Sequence, residues 1–344
     1  MNTGIPGNCK RPEYIFTKES FMKRKRRDFI KKISGMGLGL SGLPYAGFAK
    51  ASGKSKRHKT NRIEEICVFS KHLQFLDYNQ MAETAAEIGF AGVDLSVRPG
   101  GHVLPENVAR DLPIAVKAVE KAGLKVPMMT TAITSASDFD SQAVLGIAAN
   151  EGIKLYRMGY MKYDFEKGID KTLDDKKFVI DKLVELNKFF GIIGDYQNHD
   201  GTNIGAALWD LWTLFRNHDT EWIGVQYDIR HNTVEGGHSW PVDLQLVSPY
   251  IHSLVIKDFK WGIVNGKWRT INTPIGEGMV DFPRFFKMIK ELNIGGPITM
   301  HFEYPLTDKT IEEMDPEEAT RQVSAYMKKD LEMLKKYLSE ADLY

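Results

Sequence analysis

The sequence predicts a single (β/α)8 barrel of the TIM type. From about residue 62 onward, eight short apolar runs alternate with amphipathic stretches at nearly uniform spacing. Strands separated by helical segments of this length form parallel βαβ units, and eight such units fit a closed barrel better than an open doubly wound sheet. No G-x-G-x-x-G motif follows the first strand, so the sequence gives no support to a dinucleotide-binding fold.

The first half of the predicted barrel begins with the strand RIEEICVFS (62–70). The helix that follows it (77–89) is expected to end at Gly89, because glycine commonly closes helices. The strand AGVDLSV comes next at 91–97. The remaining segments of this half are helices at 105–123 and about 140–151, and strands at 124–133 and 153–161.

The second half repeats the same alternation. Its helices are predicted at 172–191, 205–218, 241–251 and 281–293, and its strands at 192–199, 222–231, 252–259 and 296–305. A charged helix at about 310–340 follows the last strand. No Pro/Ser-rich linker occurs after residue 62, so residues 52–344 are expected to form one domain.

Residues 1–51 have the features of a removable export signal. The basic stretch KRKRRDFIKK (23–32) precedes a Gly-rich apolar stretch and a small-x-small site that ends at Ala51. Arg26 and Arg27 match the twin-arginine pattern, which predicts a periplasmic protein exported by that route. Met22 is the better start codon, since residues 1–21 lack targeting character. A membrane anchor is excluded because the apolar stretch is too short; a basic nucleic-acid-binding arm is the other alternative.

Composition limits the classes of partner. The formal net charge of +1 provides no field that would attract nucleic acid or an anionic membrane, so a small molecule is the expected partner. The two cysteines cannot build a disulfide framework, and no Cys/His cluster has structural-zinc spacing. The formation of a homo-oligomer stays an open alternative.

Polar residues follow most of the predicted strands. Because active sites of parallel barrels form at the C-terminal ends of the strands, we expect these side chains to share one mouth. They are Ser70, Lys71, His72, Asp94, Arg98, His102, Arg157, Tyr160, Gln197, His199, Asp200, Asp228, Arg230, His231, Lys257, Asp258, His301 and Glu303.

Several motifs resemble those of the xylose-isomerase-like barrel superfamily, which includes sugar and sugar-phosphate isomerases, epimerases and type-2 apurinic endonucleases. They are GFAGVDL, QNHDG, YDIRH, IKD, PIGEGMVDF and HFEYP, in the expected order over 62–305. Together with the export signal, the stretches VRPGGH, YQNHDG and QYDIRHNTVEGG look like a secreted bacterial subgroup that acts on sugars.

The resemblance implies one divalent ion held by carboxylates of strands five, six and eight and by a histidine of strand seven. Asp228 and Glu303 match two of these ligands, and His231 matches a histidine that contacts substrate oxygens. The sequence departs from the pattern at Gln197, where the glutamate is expected, and at Val255, where the histidine is expected. His199 lies on the same side of its strand as Gln197 and is the candidate replacement. Gln197, His199, Asp228 and Glu303 would then bind Mn, Mg or Zn.

Other residues are candidates for catalysis or substrate binding. Glu303 and His231 are predicted to move protons, and Lys257 to stabilise an enolate or donate a proton, unless it forms a structural ion pair with Asp258. The predicted substrate contacts are Arg98, His102, Arg230, Asp258 and Trp261. Trp240 and Trp268 are further candidates for a sugar platform, whereas Trp209 and Trp212 have the spacing of core residues.

The leading functional hypothesis is a metal-dependent sugar isomerase or epimerase that removes a proton next to a carbonyl. The loss of one carboxylate raises a lyase acting by β-elimination on 3-keto-glycosides. A non-catalytic sugar-binding barrel and an apurinic endonuclease are the remaining alternatives. The neutral charge and the sparse ligand set disfavour the nuclease.

Overall fold

The computed structural model describes residue 63 and residues 65–344. The predicted export signal lies outside the described residues. Its cleavage after Ala51 and the periplasmic location therefore stay predictions.

Ten strands are present among the described residues, and eight of them close into a barrel. The barrel order is β1, β2, β3, β4, β5, β6, β7 and β10, and all neighbouring strands run parallel. The strands are β1 (Ile66–Phe69), β2 (Gly92–Val97), β3 (Lys125–Thr131), β4 (Leu155–Arg157), β5 (Ile193–Gln197), β6 (Ile223–Asp228), β7 (Ile251–Ile256), β8 (Asp258–Val264), β9 (Lys267–Thr273) and β10 (Ile298–Met300). The predicted (β/α)8 fold is confirmed.

Helices follow the barrel strands and cover them. They are α1 (Tyr78–Ile88), α2 (Val108–Lys121), α3 (Phe139–Asn150), α4 (Ile169–Phe190), α5 (Leu208–Phe215), α6 (Ile229–Gly236), α7 (Trp240–Val247), α8 (Phe282–Glu291) and α9 (Pro316–Glu340). Helix α1 begins at a capping box of Asp77 and Gln80 and ends at Gly89, which has the left-handed φ of 100°. Within residues 65–344, no helix combines the length and apolar character needed to cross a bilayer.

The strand after α7 ends earlier than the sequence pattern predicts. Strand β7 stops at Ile256, and Asp258 begins a separate antiparallel hairpin, β8–β9. The hairpin turns at Asn265 and Gly266, which have φ angles of 51° and 73°. An Asn-Gly pair between strand-forming residues is a strong hairpin signal, so the sequence contained the information that would have predicted this element.

The last helix is attached to the end of the barrel by a buried carboxyl group. Asp330 of α9 accepts hydrogen bonds from the Tyr304 hydroxyl (2.8 Å) and the Ile275 backbone N–H (3.3 Å). Burial raises the pKa of Asp330 from 3.8 to about 6, although these hydrogen bonds and Lys329 oppose the shift. The contact fixes α9 against the segment that follows β10.

The raised pKa of Asp330 predicts how the free energy of unfolding depends on pH. The folded chain binds this proton more tightly than the unfolded chain, so the contribution is full below about pH 4 and is lost as the pH rises through 6. The unfolding free energy of the wild type, relative to Asp330→Asn, should therefore fall by roughly 3 kcal/mol from pH 4 to pH 7. Urea unfolding at several pH values measures this difference.

The exposed Asp342 serves as the control, because Lys290 lowers the pKa of its carboxyl group. Its contribution changes only below about pH 4, so the difference between wild type and Asp342→Asn should stay nearly constant from pH 4 to pH 7. A pH-independent difference for Asp330→Asn would contradict the assigned burial effect.

Candidate active site at the barrel mouth

The ammonium group of Lys257 lies at the centre of the polar residues that follow the barrel strands. Lys257 follows β7 directly, and its side chain is only 3% exposed. Its Nζ lies 2.7 Å from His231 Nε2, 3.3 Å from Asp228 Oδ2 and 3.4 Å from Glu303 Oε2. The ammonium thus forms hydrogen bonds with His231 and Glu303 and an ion pair with Asp228.

Asp228 is held rigidly because it ends β6 and also caps α6. Its Oδ1 accepts from the His231 backbone N–H (3.1 Å), and its Oδ2 accepts from Gln197 Nε2 (2.9 Å). Asn198 binds the backbone N–H and carbonyl of Asp228. The carboxylate is completely buried. The structure thus brings Asp228, His231 and Lys257 together, as the strand ends predict.

His231 is a neutral imidazole with a charged partner at each ring nitrogen. Burial lowers its pKa well below the ordinary value, against the opposing effect of Asp228. Its Nε2 lies 2.7 Å from Lys257 Nζ, and its Nδ1 contacts Asp200 Oδ1 and lies 3.0 Å from Arg230 Nη1. His231 therefore links the ammonium of Lys257 to the carboxylate of Asp200.

Arg230 is buried, and both of its terminal nitrogens are paired. Its guanidinium donates to Asp200 Oδ1 (2.9 Å) and to Asn272 Oδ1 of the hairpin (2.9 Å). These bonds fix the loop after β5 to the hairpin, and the predicted substrate contact stays a prediction.

Glu303 is the most accessible carboxylate in contact with Lys257. It follows β10, and its side chain is 28% exposed, whereas Asp228 is fully buried. Burial alone would raise the pKa of Glu303, but Lys257 and nearby Lys71 lower it below its ordinary value. Glu303 is therefore an ionised carboxylate at the surface of a buried charge cluster.

Gln197 directs its amide nitrogen, not its oxygen, toward Asp228. The oxygen accepts from Arg157 (2.7 Å) and from the Tyr160 hydroxyl (2.7 Å). Arg157 and Tyr160 were visible in the sequence as polar ends of β4, but their part in orienting Gln197 depends on a contact between neighbouring strands.

The rim of the mouth contains Arg98 and two histidines. Arg98 is half-buried, with its guanidinium carbon 5.4 Å from the centre of the Phe69 ring. His102 Nε2 lies 3.4 Å from the Leu76 carbonyl oxygen, and its buried Nδ1 has no protein partner. His301 stacks on Phe69 with 4.7 Å between ring centres, and its Nε2 is likewise unpaired. The sequence predicts His301 at the mouth but assigns it no catalytic or binding role.

Asp258 organises a loop and does not present a carboxylate to a substrate. Its two oxygens accept from the backbone N–H groups of Phe259, Gly276, Gly278 and Val280, at 2.8–3.2 Å. The predicted substrate contact and the predicted Lys257–Asp258 pair are both corrected, because the carboxylate is directed into the PIGEGMVDF loop.

Some tryptophan side chains are not exposed or buried as the sequence predicts. Trp261 and Trp268 are exposed on the hairpin, so they stay candidates for a sugar platform. Trp240 is buried against Phe285, which removes it as a platform. Trp209 is exposed rather than in the core, and its indole N–H donates to Asp243.

The predicted metal ligands do not form one binding site. The oxygens of Asp228 and Glu303 face the ammonium of Lys257, the oxygen of Gln197 is bound elsewhere, and Val255 is buried and has no donor atom. A divalent ion at these oxygens would have to displace the ammonium of Lys257 and the amide N–H of Gln197 from them. The donor set at this position therefore does not fit a divalent ion.

A cluster of possible metal ligands lies beside it, formed by His199, Asp200 and His231, with ligand atoms within 4.8 Å of one another. His199 Nδ1 lies 2.8 Å from the Asp200 carbonyl oxygen, which can only accept, so this nitrogen carries a proton. Arg230 donates to Asp200 Oδ1 and lies 3.0 Å from His231 Nδ1. Arg230 thus already occupies Asp200 Oδ1 and lies against His231 Nδ1, whereas the proton on His199 Nδ1 leaves the lone pair of its Nε2 available.

The barrel is similar to a known protein family and to several solved structures. A family model described as the xylose isomerase-like TIM barrel matches residues 82–336. No curated protein matches the sequence. The solved structures described next are each 14% identical to this chain, so their similarity shows the fold alone.

Three of the solved structures that the barrel is similar to are as follows. The 3-keto-D-glucoside 4-epimerase of E. coli has 14% identity and a TM-score of 0.58, covering 79% of this chain and 99% of its own. The D-allulose 3-epimerase of Methylomonas sp., in complex with D-allulose, has 14% identity and a TM-score of 0.57, covering 80% and 97%. A barrel protein of Mycobacterium smegmatis, in complex with magnesium, has 14% identity and a TM-score of 0.55, covering 80% and 97%.

Asp258→Asn tests the corrected role of Asp258. The amide replaces one accepting oxygen by a donor, which leaves buried N–H groups of the loop without an acceptor. We expect the free energy of unfolding to fall by about 3 kcal/mol or more. Denaturant unfolding measures it.

Asp281→Asn is the matched control, because a single N–H of α8 needs its side chain and asparagine caps helices equally well. Unchanged stability of Asp258→Asn with weaker ligand binding would restore the substrate-binding role.

Proposed function

Because the chain belongs to the xylose isomerase-like TIM barrel family, we propose that it is a sugar isomerase/epimerase-like enzyme that moves a proton next to a carbonyl. The observation that carries the proposal is the contact between Glu303 and Lys257, a partly exposed carboxylate beside a buried ammonium. Two structural relatives, a 3-keto-D-glucoside 4-epimerase and a D-allulose 3-epimerase, support a carbohydrate carbonyl compound as substrate.

Glu303 is the base in this proposal. It is ionised and lies at the accessible edge of the cluster. Removal of a proton from the carbon next to a carbonyl develops negative charge on the carbonyl oxygen, and a hydrogen-bond donor at that oxygen lowers the barrier. Of the three partners of Lys257, Glu303 alone is partly exposed, so a substrate oxygen can reach the ammonium on this side.

His231 and Asp200 position the ammonium rather than meet the substrate. The imidazole of His231 lies between Lys257 and Asp200, with Nε2 against the ammonium and Nδ1 against the carboxylate. Asp228, which is completely buried, forms an ion pair with the same ammonium. These contacts aim one N–H of Lys257 toward Glu303 and the open side of the mouth.

A lyase is the second candidate, favoured by the amide at position 197. Epimerisation uses bases on two faces of the reacting carbon, and Gln197 cannot act as one. In β-elimination from a 3-keto-glycoside, one base takes the proton at C2, the electron pair forms the C1–C2 double bond, and the C1–O bond breaks as the aglycone takes a proton. The predicted export supports this reading, since phosphorylated sugars are normally cytoplasmic.

The first prediction concerns the base. Glu303→Gln should reduce exchange of the substrate's α-hydrogen with deuterium by about 10²–10⁴-fold, because the amide cannot accept the proton. NMR in D2O with D-allulose, D-tagatose and methyl 3-keto-β-D-glucoside measures the exchange. Glu291→Gln, an exposed position on α8, should leave it unchanged. Full exchange by Glu303→Gln would contradict the assignment.

The second prediction separates the two reactions. With p-nitrophenyl 3-keto-β-D-glucoside, an isomerase or epimerase returns a deuterated keto-sugar that keeps its aglycone, whereas a lyase releases nitrophenol and an enone. We expect the first outcome, measured by absorbance and mass spectrometry together. Nitrophenol released in proportion to substrate consumed would establish the lyase instead.

A further inference from the structure

We infer that the ammonium of Lys257 takes the place of a divalent cation at the mouth of this barrel, so that the site works without a metal. The statement about catalysis rests on the proposed function, but the statement about the occupied position does not. It reverses the metal requirement that the sequence resemblance predicts.

The contacts of Lys257 carry the inference. Its ammonium reaches Asp228 and Glu303, the two carboxylates that the sequence assigns to a metal, at 3.3 Å and 3.4 Å. It also reaches His231 at 2.7 Å. One buried cation thus engages three residues expected to lie around the ion or its substrate, and it is attached to the chain at the end of β7.

The surroundings of Asp228 show the same preference for N–H donors. Its Oδ1 faces the backbone N–H of His231, and its Oδ2 faces both Gln197 Nε2 and Lys257. A metal ion requires free lone pairs on its ligands, and these are directed at protein hydrogens. The orientation of Gln197 is not accidental, because Arg157 and Tyr160 hold its oxygen on the other side.

Two further observations agree with a built-in cation. Val255, in the strand that delivers Lys257, is fully buried and offers no ligand. Beside it, the guanidinium of Arg230 contacts Asp200 Oδ1 and His231 Nδ1, which belong to two of the three residues of the neighbouring His/Asp cluster. A protein cation therefore occupies the position between Asp228 and Glu303, and a second one contacts this cluster.

An ammonium can perform the electrostatic part of the task of a metal. It stabilises an enolate oxygen by a charge-assisted hydrogen bond, and it needs no coordination sphere. Lys257 and Glu303 would then form an acid–base pair that is complete in the polypeptide.

Metal content and metal-dependent stability test the inference on the purified protein. We expect the wild type to hold substoichiometric Mn, Mg and Zn by elemental analysis. Its melting temperature should be the same in EDTA and in excess Mn²⁺. Stoichiometric metal that is lost in Asp228→Ala would overturn the inference.

Variants at Val255, in β7, and at Lys257, directly after it, provide a second test. Removing the ammonium in Lys257→Met/Val255→His frees both carboxylates and adds an imidazole, so Mn²⁺ at about 100 times its Kd should raise the melting temperature by about 5 °C. Val255→His alone is the matched control and should show no rise, because Lys257 still fills the position. A rise in the single variant as large as in the double variant, or no rise in the double variant, would overturn the assigned place of the ammonium.

Deuterium exchange tests the proposed function separately from the metal-binding measurements. Exchange that persists in EDTA supports both proposals, and exchange that requires added metal overturns the metal-free site while keeping the sugar enzyme. If exchange is absent from every sugar under both conditions, the proposed function fails; the metal-binding results still decide whether Lys257 holds the cation's place.

Discussion

The ion cluster around Lys257 is the constraint on which the rest of the site depends. A buried ammonium is costly unless its hydrogens and its charge are matched, and removal of one partner leaves an unpaired charge. Asp228 and His231 at the end of β6 and Glu303 after β10 provide that match. The barrel must therefore close with these strands in register before the lysine can be buried.

The sequence predicts the parts of this arrangement that follow from periodicity. Alternating strands and helices give the barrel, and the rule that strand ends meet at one mouth brings Asp228, Lys257 and Glu303 together. His231 follows because it lies one helical turn beyond Asp228. Each of these positions depends on the residue's own place in its element, which a single sequence records.

Hydrogen bonds between residues of different strands and loops are harder to predict from the sequence. The direction of the Gln197 amide is set by Arg157 and Tyr160 on the neighbouring strand, and it decides whether Asp228 meets an oxygen or an N–H group. Asp258 has the residue type of a substrate ligand, but its partners are backbone N–H groups of a loop eighteen to twenty-two residues later. Residue type and spacing do not contain such partners.

The attachment of α9 to the end of the barrel has a consequence for the timing of synthesis. Glu303 lies between Phe302, whose N–H donates to His72 near the start of the barrel, and Tyr304, whose hydroxyl donates to Asp330. Its placement therefore combines a contact with one of the first barrel segments to be translated and a contact with the last helix. A nascent chain that has completed all eight barrel strands on the ribosome still lacks the second of these, and the site matures only when α9 has emerged.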